Sequence, residues 1–386
     1  MQGRAGRSRE AFGKTGEMKR SDVAEKVIEN LYLNNIKIKK SERVLIYTDK
    51  SETRHNLFNT AILFSDIAKN FSHHVTFSFY PPLAGHGCEP PENIWIEAFG
   101  KAVVDSLKDK GLFKKLLTKE LSKDKLNAVK KIIRDFKESC VDVVIALSFF
   151  STSHTQFRQL LTNVAGTRFC SMPLFEDSMF YSSLQEDWTI LKKRTIFLKE
   201  KLRKASHVIV KSENGTYLTF SVADREFFTD TGELSFPGSF SNIPAGEVFT
   251  APREGSANGK LIIEYSPIAK LDSPLTLWIE DGTVVHVEGA DAYKNILNEK
   301  FKLSKYNRNI AEFGIGTNSK AHNMLNILES EKILGTIHIA LGDNSSFGGK
   351  VKTNFHEDYI VNKPTVEIYT EDKNNFFILY NGKPLF

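Results

Sequence analysis

The feature that most constrains this chain is a series of strand-length apolar segments separated by helical ones across its first half. RVLIYTD and VDVVIALSFF are apolar through most of their length rather than alternating, and HHVTFSFYPP reads as a third strand closed by prolines. Strands apolar on both faces belong in a parallel sheet covered on both sides, because each parallel connection crosses over and usually does so as a helix. The stretches between them, LFNTAILFSDIAKNF and the lysine-rich LFKKLLTKELSKDKLNAVKKIIRDFK, carry helical apolar spacing. Residues 18–205 are therefore expected to form a doubly wound α/β domain with a parallel sheet. No GxGxxG follows the first strand, so a dinucleotide is not implied.

Beyond the helical DWTILKKRTIFLKEKLRKA the texture changes. SHVIVKS, TYLTFSV, KLIIEYS, LTLWIED and TVVHVEG are short strands punctuated by NG and DG turn signals. Residues 206–386 are read as a strand-rich α+β domain. Two domains suit a length of 386 residues, which exceeds the size at which a single core stops growing.

Composition excludes several classes. Hydrophobic content of 41% and charged content of 26% are those of a soluble globular protein, and no window approaches the roughly 18 uninterrupted apolar residues of a membrane span. The net charge of +5 is mild and concentrated in MQGRAGRSREAFGKTGEMKR, which argues against a nucleic-acid-binding face in the folded body. Residues 1–17 lack the apolar stretch of a secretory signal and are read as a disordered basic extension. Within them SREAFGKT misses the first glycine of a phosphate loop, Ser8 standing in its place. Cys88, Cys140 and Cys170 are odd in number and too widely spaced for a metal knot, and read as reduced thiols of a cytoplasmic protein.

The second region also gathers metal-ligand chemistry. Glu247 is a lone acid in SNIPAGEVFTAP, between Pro244 and Pro252, and Glu312 lies in NIAEFGIGTN beside Gly314 and Gly316. His338 interrupts the apolar LGTIHIALGD, and His356 with Asp358 forms an HxD pair in FHEDY whose members face one side of an extended strand. Each alone has an ordinary explanation as a loop acid, a core histidine or a cross-strand polar contact. Together they are the oxygen and nitrogen ligands of Zn, Co, Mn or Fe, and such a set, with one carboxylate bridging, suits two divalent ions sharing a hydroxide.

IPAGEVFTAPREGSANG, AEFGIGTN, LGTIHIALGDNSSFGG and the closing HED resemble, in order and spacing, the M29 metallopeptidases, the aminopeptidase T family. The resemblance implies an α/β N-terminal domain, a C-terminal metal domain, a homodimer and two Zn or Co ions. It carries the family's ligands onto Glu247, Glu312, His338, His356 and Asp358, and implies an aminopeptidase acting on peptide substrates through a metal-bridged hydroxide, with Glu247 or Glu312 as proton acceptor. One position departs: Ser345 stands where the family has a tyrosine, and its hydroxyl is far less acidic than a phenol.

An alternative resemblance is to the 2,5-dihydroxypyridine dioxygenases, which share the GG…HxD ending seen here as GGKVKTNFHED and bind one Fe(II). In them a histidine takes the place of Glu312 and the acid at Glu247 is absent, so retention of both glutamates ranks the hydrolase first. A third reading is a non-catalytic metal-binding scaffold. STSHTQFR is similar to a segment of the peptidase family and puts His154 and Arg158 forward as lining of the interdomain cleft, beside the simpler reading of a polar helix start.

Overall fold

The computed structural model describes residues 20–51 and 55–386, and the reading of residues 1–17 lies outside them. Strands β1 (Arg43–Asp49), β2 (His74–Tyr80), β3 (Val143–Leu147) and β4 (Arg168–Ser171) pair in parallel in the order β2-β1-β3-β4. Their side chains split between two cores by simple alternation. Val44 and Ile46 of β1 pack with Ile28 and Phe64 of the helices Arg20–Asn30 and His55–Ala68, while Leu45 and Tyr47 pack with Trp95 and Val104 on the other side. Helices therefore cover both faces, as the apolar runs require. Two of them, Glu92–Phe99 and Lys101–Asp109, lie in a stretch with no helical expectation from sequence.

The chain then forms β5 (Ala205–Lys211), β6 (Tyr217–Ser221), β7 (Phe228–Asp230) and β8 (Phe240–Asn242). Strand β8 returns to the first sheet and pairs in parallel with β4, so that sheet takes its edge strand from the second half of the sequence. It is followed by β9 (Glu247–Thr250), β10 (Asn258–Ser266), β11 (Ala269–Glu280) and β12 (Thr283–Gly289). After the helix Asp291–Leu303 come β13 (Ile310–Gly316), β14 (Ile337–Gly342), β15 (His356–Val361), β16 (Thr365–Thr370), β17 (Asn375–Tyr380) and β18 (Lys383–Pro384).

These strands build two further sheets, β12-β11-β10-β6-β5-β16-β17-β18 and β15-β14-β13-β9-β7. The two sheets share one apolar core in which Val208, Phe220, Leu261 and Leu277 of the larger face Phe313, Ile315, Ile339 and Val361 of the smaller. Each such fully buried side chain contributes about 1.5–3 kcal/mol. The mixed α/β and α+β class expected from the sequence is the class observed. Among the described residues, no helix is long and apolar enough to cross a membrane.

Candidate metal centre

The five-stranded antiparallel sheet buries one face in the shared core and leaves the other for chemistry. Period-two alternation puts Glu312, Gly314 and Gly316 of β13 on that second face, with His338, Ala340 and Gly342 of β14 and with His356 and Asp358 of β15. Register sets Gly314 opposite His338, Gly316 opposite Glu247, Ala340 opposite Asp358 and Gly342 opposite His356. Every donor thus lies beside a glycine or alanine. The need is steric: a Cβ on Gly314 would stand 1.9 Å from Nε2 of His338. Gly246, at φ +126°, lets the chain turn into β9 and deliver Glu247 to the same face.

All five residues singled out from the sequence meet here. Ligand atoms of Glu247, Glu312 and His338 lie within 4.8 Å of one another, and so do those of Glu312, His356 and Asp358, with Glu312 common to both groups. Nε2 of His338 is 3.4 Å from Oε1 of Glu312 and 3.5 Å from Oε2 of Glu247. Nε2 of His356 is 3.4 Å from Oε2 of Glu312 and 3.6 Å from Oδ2 of Asp358. The other ring nitrogen of His356 donates to the Asp343 carbonyl at 2.8 Å. A carbonyl only accepts, so Nδ1 carries a proton and Nε2 is aimed at the acids, the orientation a metal-binding imidazole needs. Oδ1 of Asp358 is buried with no hydrogen-bond partner. A nitrogen–oxygen donor set containing an orphaned carboxylate oxygen fits a first-row divalent ion.

The electrostatics are those of a cluster arranged around positive charge. Burial opposes ionisation of Glu312, but hydrogen bonds from His338 and His356 outweigh it and lower its pKa. Burial likewise disfavours charged imidazoles, yet Glu312, Glu247 and Asp358 lift His338 to about 9 and Asp358 with Glu312 lifts His356 well above the ordinary histidine value. Glu247 behaves differently. Burial opposes its ionisation, and the Lys332 ammonium 2.6 Å away acts against that and favours the carboxylate.

Three neighbours were not legible as site residues or were only weakly so. Lys332, whose side chain is 0% exposed, donates to Oε1 of Glu247 at 2.6 Å and to Oε1 of Glu331 at 2.7 Å. In the sequence it is one more lysine in ESEKILG, and nothing there separates it from a solvated one. The His154 ring lies 5.8 Å from the His356 ring at a tilt of 32° and remains accessible to solvent at the His356 end. Neighbouring protein, with His356 and Arg158 close by, lowers its pKa. Phe347 meets His356 edge-on at 5.9 Å and is itself backed by Phe249 at 5.7 Å.

Neither Ser345, at the position of the family tyrosine, nor the nearby Tyr359 supplies a hydroxyl to the site. Ser345 is exposed and donates to Oδ1 of Asp343 at 2.9 Å. Tyr359 points to the opposite face of β15, where its hydroxyl donates to Glu357 at 2.7 Å.

Fold and site together define an α/β scaffold bearing a candidate divalent-metal centre on its C-terminal sheet. More specifically, residues 105–373 match the family NicX: 2,5-dihydroxypyridine 5,6-dioxygenase, and the chain belongs to that family. The 2,5-dihydroxypyridine 5,6-dioxygenase of Pseudomonas putida KT2440 is 25% identical over 199 residues, a match covering 47% of this chain. That match spans 56% of the relative, little more than half its length. The solved structure of the Pseudomonas putida KT2440 2,5-dihydroxypyridine dioxygenase superposes with a TM-score of 0.66 at 18% identity, covering 96% of this chain and 98% of that one. Wild-type AmpT from Thermus thermophilus superposes with a TM-score of 0.59 at 14% identity, covering 95% and 100%. Both share the fold.

The aminopeptidase expectation is thereby corrected. The family matched is an oxygenase family, not the M29 hydrolases, and AmpT is a neighbour in fold. The expectation rested on counting Glu247 and Glu312 as free ligands, whereas Glu247 is engaged by a buried ammonium. It also rested on motifs, such as LGTIHIALGD, that build the sheet and so follow the fold rather than the reaction.

Proposed function

We propose that this chain is a metal-dependent ring-cleaving dioxygenase acting on a hydroxylated nitrogen heteroaromatic of the 2,5-dihydroxypyridine type. The observation that carries the reading is the group Glu312, His356 and Asp358, with the rings of His154 and Phe347 set 5.8 and 5.9 Å from the His356 ring. Aromatic rings beside the His356 donor favour a planar substrate. One ion would be held through Oδ of Asp358, Oε of Glu312 and Nε2 of His356, a set with one histidine fewer than the two-histidine, one-carboxylate triad usual for non-haem iron, Glu312 standing where the dioxygenases are expected to have the second histidine. Iron(II) held there would supply the redox chemistry that couples ring opening to dioxygen.

The chain's own residues handle protons and position. The neutral imidazole of His154, 5.8 Å from the His356 ring, is placed to accept the proton that a ring hydroxyl gives up as it approaches the cluster. Nε of Arg158 donates to the Ser153 carbonyl at 2.6 Å, tying this cation to the backbone next to His154. Phe347 packs edge-on against the His356 ring and holds it in place.

The test is oxygen uptake with 2,5-dihydroxypyridine on protein reconstituted anaerobically with Fe(II), beside Asp358→Ala as control. Uptake by the parent and none by the control supports the reading. Protein that retains Fe(II) but takes up no oxygen with this substrate or its hydroxylated analogues sinks it.

A further inference from the structure

Donor geometry alone would let this cluster take two ions. Glu247, Glu312 and His338 form a second oxygen–nitrogen group beside the first, sharing Glu312, and a shared carboxylate is what binuclear centres use. The difference lies in what already neutralises Glu247. We propose that the ammonium of Lys332 is a resident cation that occupies this second position and limits the chain to one metal ion.

Three features support this. The Lys332 side chain is completely buried, and its Nζ contacts Glu247 at 2.6 Å and Glu331 at 2.7 Å, distances of charge-assisted hydrogen bonds. Its backbone cannot swing aside, because the Lys332 carbonyl accepts from Asn318 N at 2.8 Å and the Asn318 side chain donates to the carbonyls of Ala245 and Ser183, both at 3.0 Å. The lysine is thus clamped to the segment that leads into Glu247. Finally, exposure is graded across the cluster: the side chains of His356 and Asp358 are 18% and 16% exposed, against 1% for His338 and 0% for Lys332. An ion entering from solvent meets the Glu312–His356–Asp358 end first, and a second one would have to share Glu247 with an ammonium that has no solvent to retreat into.

Lys332 is in these terms a residue that sets metal count rather than a ligand or a catalytic group. The inference rests on the assignment of the accessible ion to Glu312, His356 and Asp358. It also accounts for Glu247 on a sheet whose reaction needs one ion: the acid is the lysine's counter-charge.

The experiment is metal counting with Mn(II) alone, by elemental analysis after desalting and by electron paramagnetic resonance, on the full chain. The parent is expected to hold one Mn(II) with an uncoupled six-line spectrum. Lys332→Met keeps the length of the side chain and removes its charge, and is expected to hold two, with the spin-coupled spectrum of ions a few ångströms apart. Two ions on the parent, or one on a folded Lys332→Met, overturns the proposal. Should Lys332→Met not fold, Glu247→Gln decides: a count of one with affinity within about threefold of the parent supports the proposal, and a lower count or a tenfold loss overturns it. Oxygen uptake is read separately, so a chain that counts one ion and takes up no oxygen counts against the proposed reaction while supporting the role of Lys332.

Discussion

Gly314→Ala tests whether the cleared sheet face is what makes the centre possible. The new methyl would lie 1.9 Å from Nε2, 2.1 Å from Cε1 and 2.6 Å from Cδ2 of His338, where carbon contacts are ordinarily about 3.5–4 Å. The ring must retreat by roughly 1.5–2 Å to relieve this. It has little room, being 1% exposed on a strand whose neighbours Ile337 and Ile339 are fixed in the core. Overpacking of this kind costs about 1–3 kcal/mol, which for a chain of this length is a fall in Tm of a few degrees. Retreat also breaks the 3.4 Å contact between His338 and Glu312, and loss of a hydrogen bond to a ligand typically weakens metal binding by about 10–100-fold. Thermal unfolding followed by circular dichroism and Mn(II) titration calorimetry read the two effects. Gly85→Ala, whose methyl would meet nothing within 4 Å, is the control. A Gly314→Ala protein that melts with the parent and binds Mn(II) with unchanged Kd refutes the argument that this glycine makes room for the imidazole.

Further expectations concern proton, substrate and scaffold. The raised pKa of His356 means that a metal must displace a proton from it, so affinity should rise with pH through neutrality by about tenfold per unit for each proton released; a pH-independent Kd contradicts this. In the metal-free protein His338 contributes stability that is complete below its unfolded value of about 6.5 and is lost as pH rises to its folded value of about 9, roughly 3 kcal/mol in denaturant titrations. His154→Asn should lower kcat by about 10²–10⁴ with Mn(II) binding intact; loss of the metal instead would show the residue to be structural. Asn318→Ala removes two donated and two accepted hydrogen bonds of a fully buried amide and should destabilise the fold by about 2–4 kcal/mol in chemical unfolding.

Much of this molecule was legible in its sequence because its signals are local. Continuous apolar runs announced β1 and β3, and turn-punctuated short strands announced β5, β6 and β10 to β12. The five donors stood out because an acid or imidazole inside an apolar or glycine-flanked strand needs a reason. What stayed hidden depends on distant pairing. Strand β8 is three residues long and is defined only by its partner β4. Lys332 and Glu247 are 85 residues apart and meet at 2.6 Å, and no periodicity connects them. Weighing the reaction from the glutamates alone therefore went astray: their types were visible, and the charge state that surrounds them was not.

The return of the chain to its first sheet has a mechanical consequence. Asn242 ends a strand of the parallel sheet and Glu247 begins one of the five-stranded antiparallel sheet, and the five steps between them reach at most about 18 Å. The two layers are stitched together by this short tether at the edge of the metal cluster. The two layers cannot part at this point without breaking the chain, which holds Glu247 close to the edge of the parallel sheet. Cutting the chain near residue 205 would leave the parallel sheet without its edge strand.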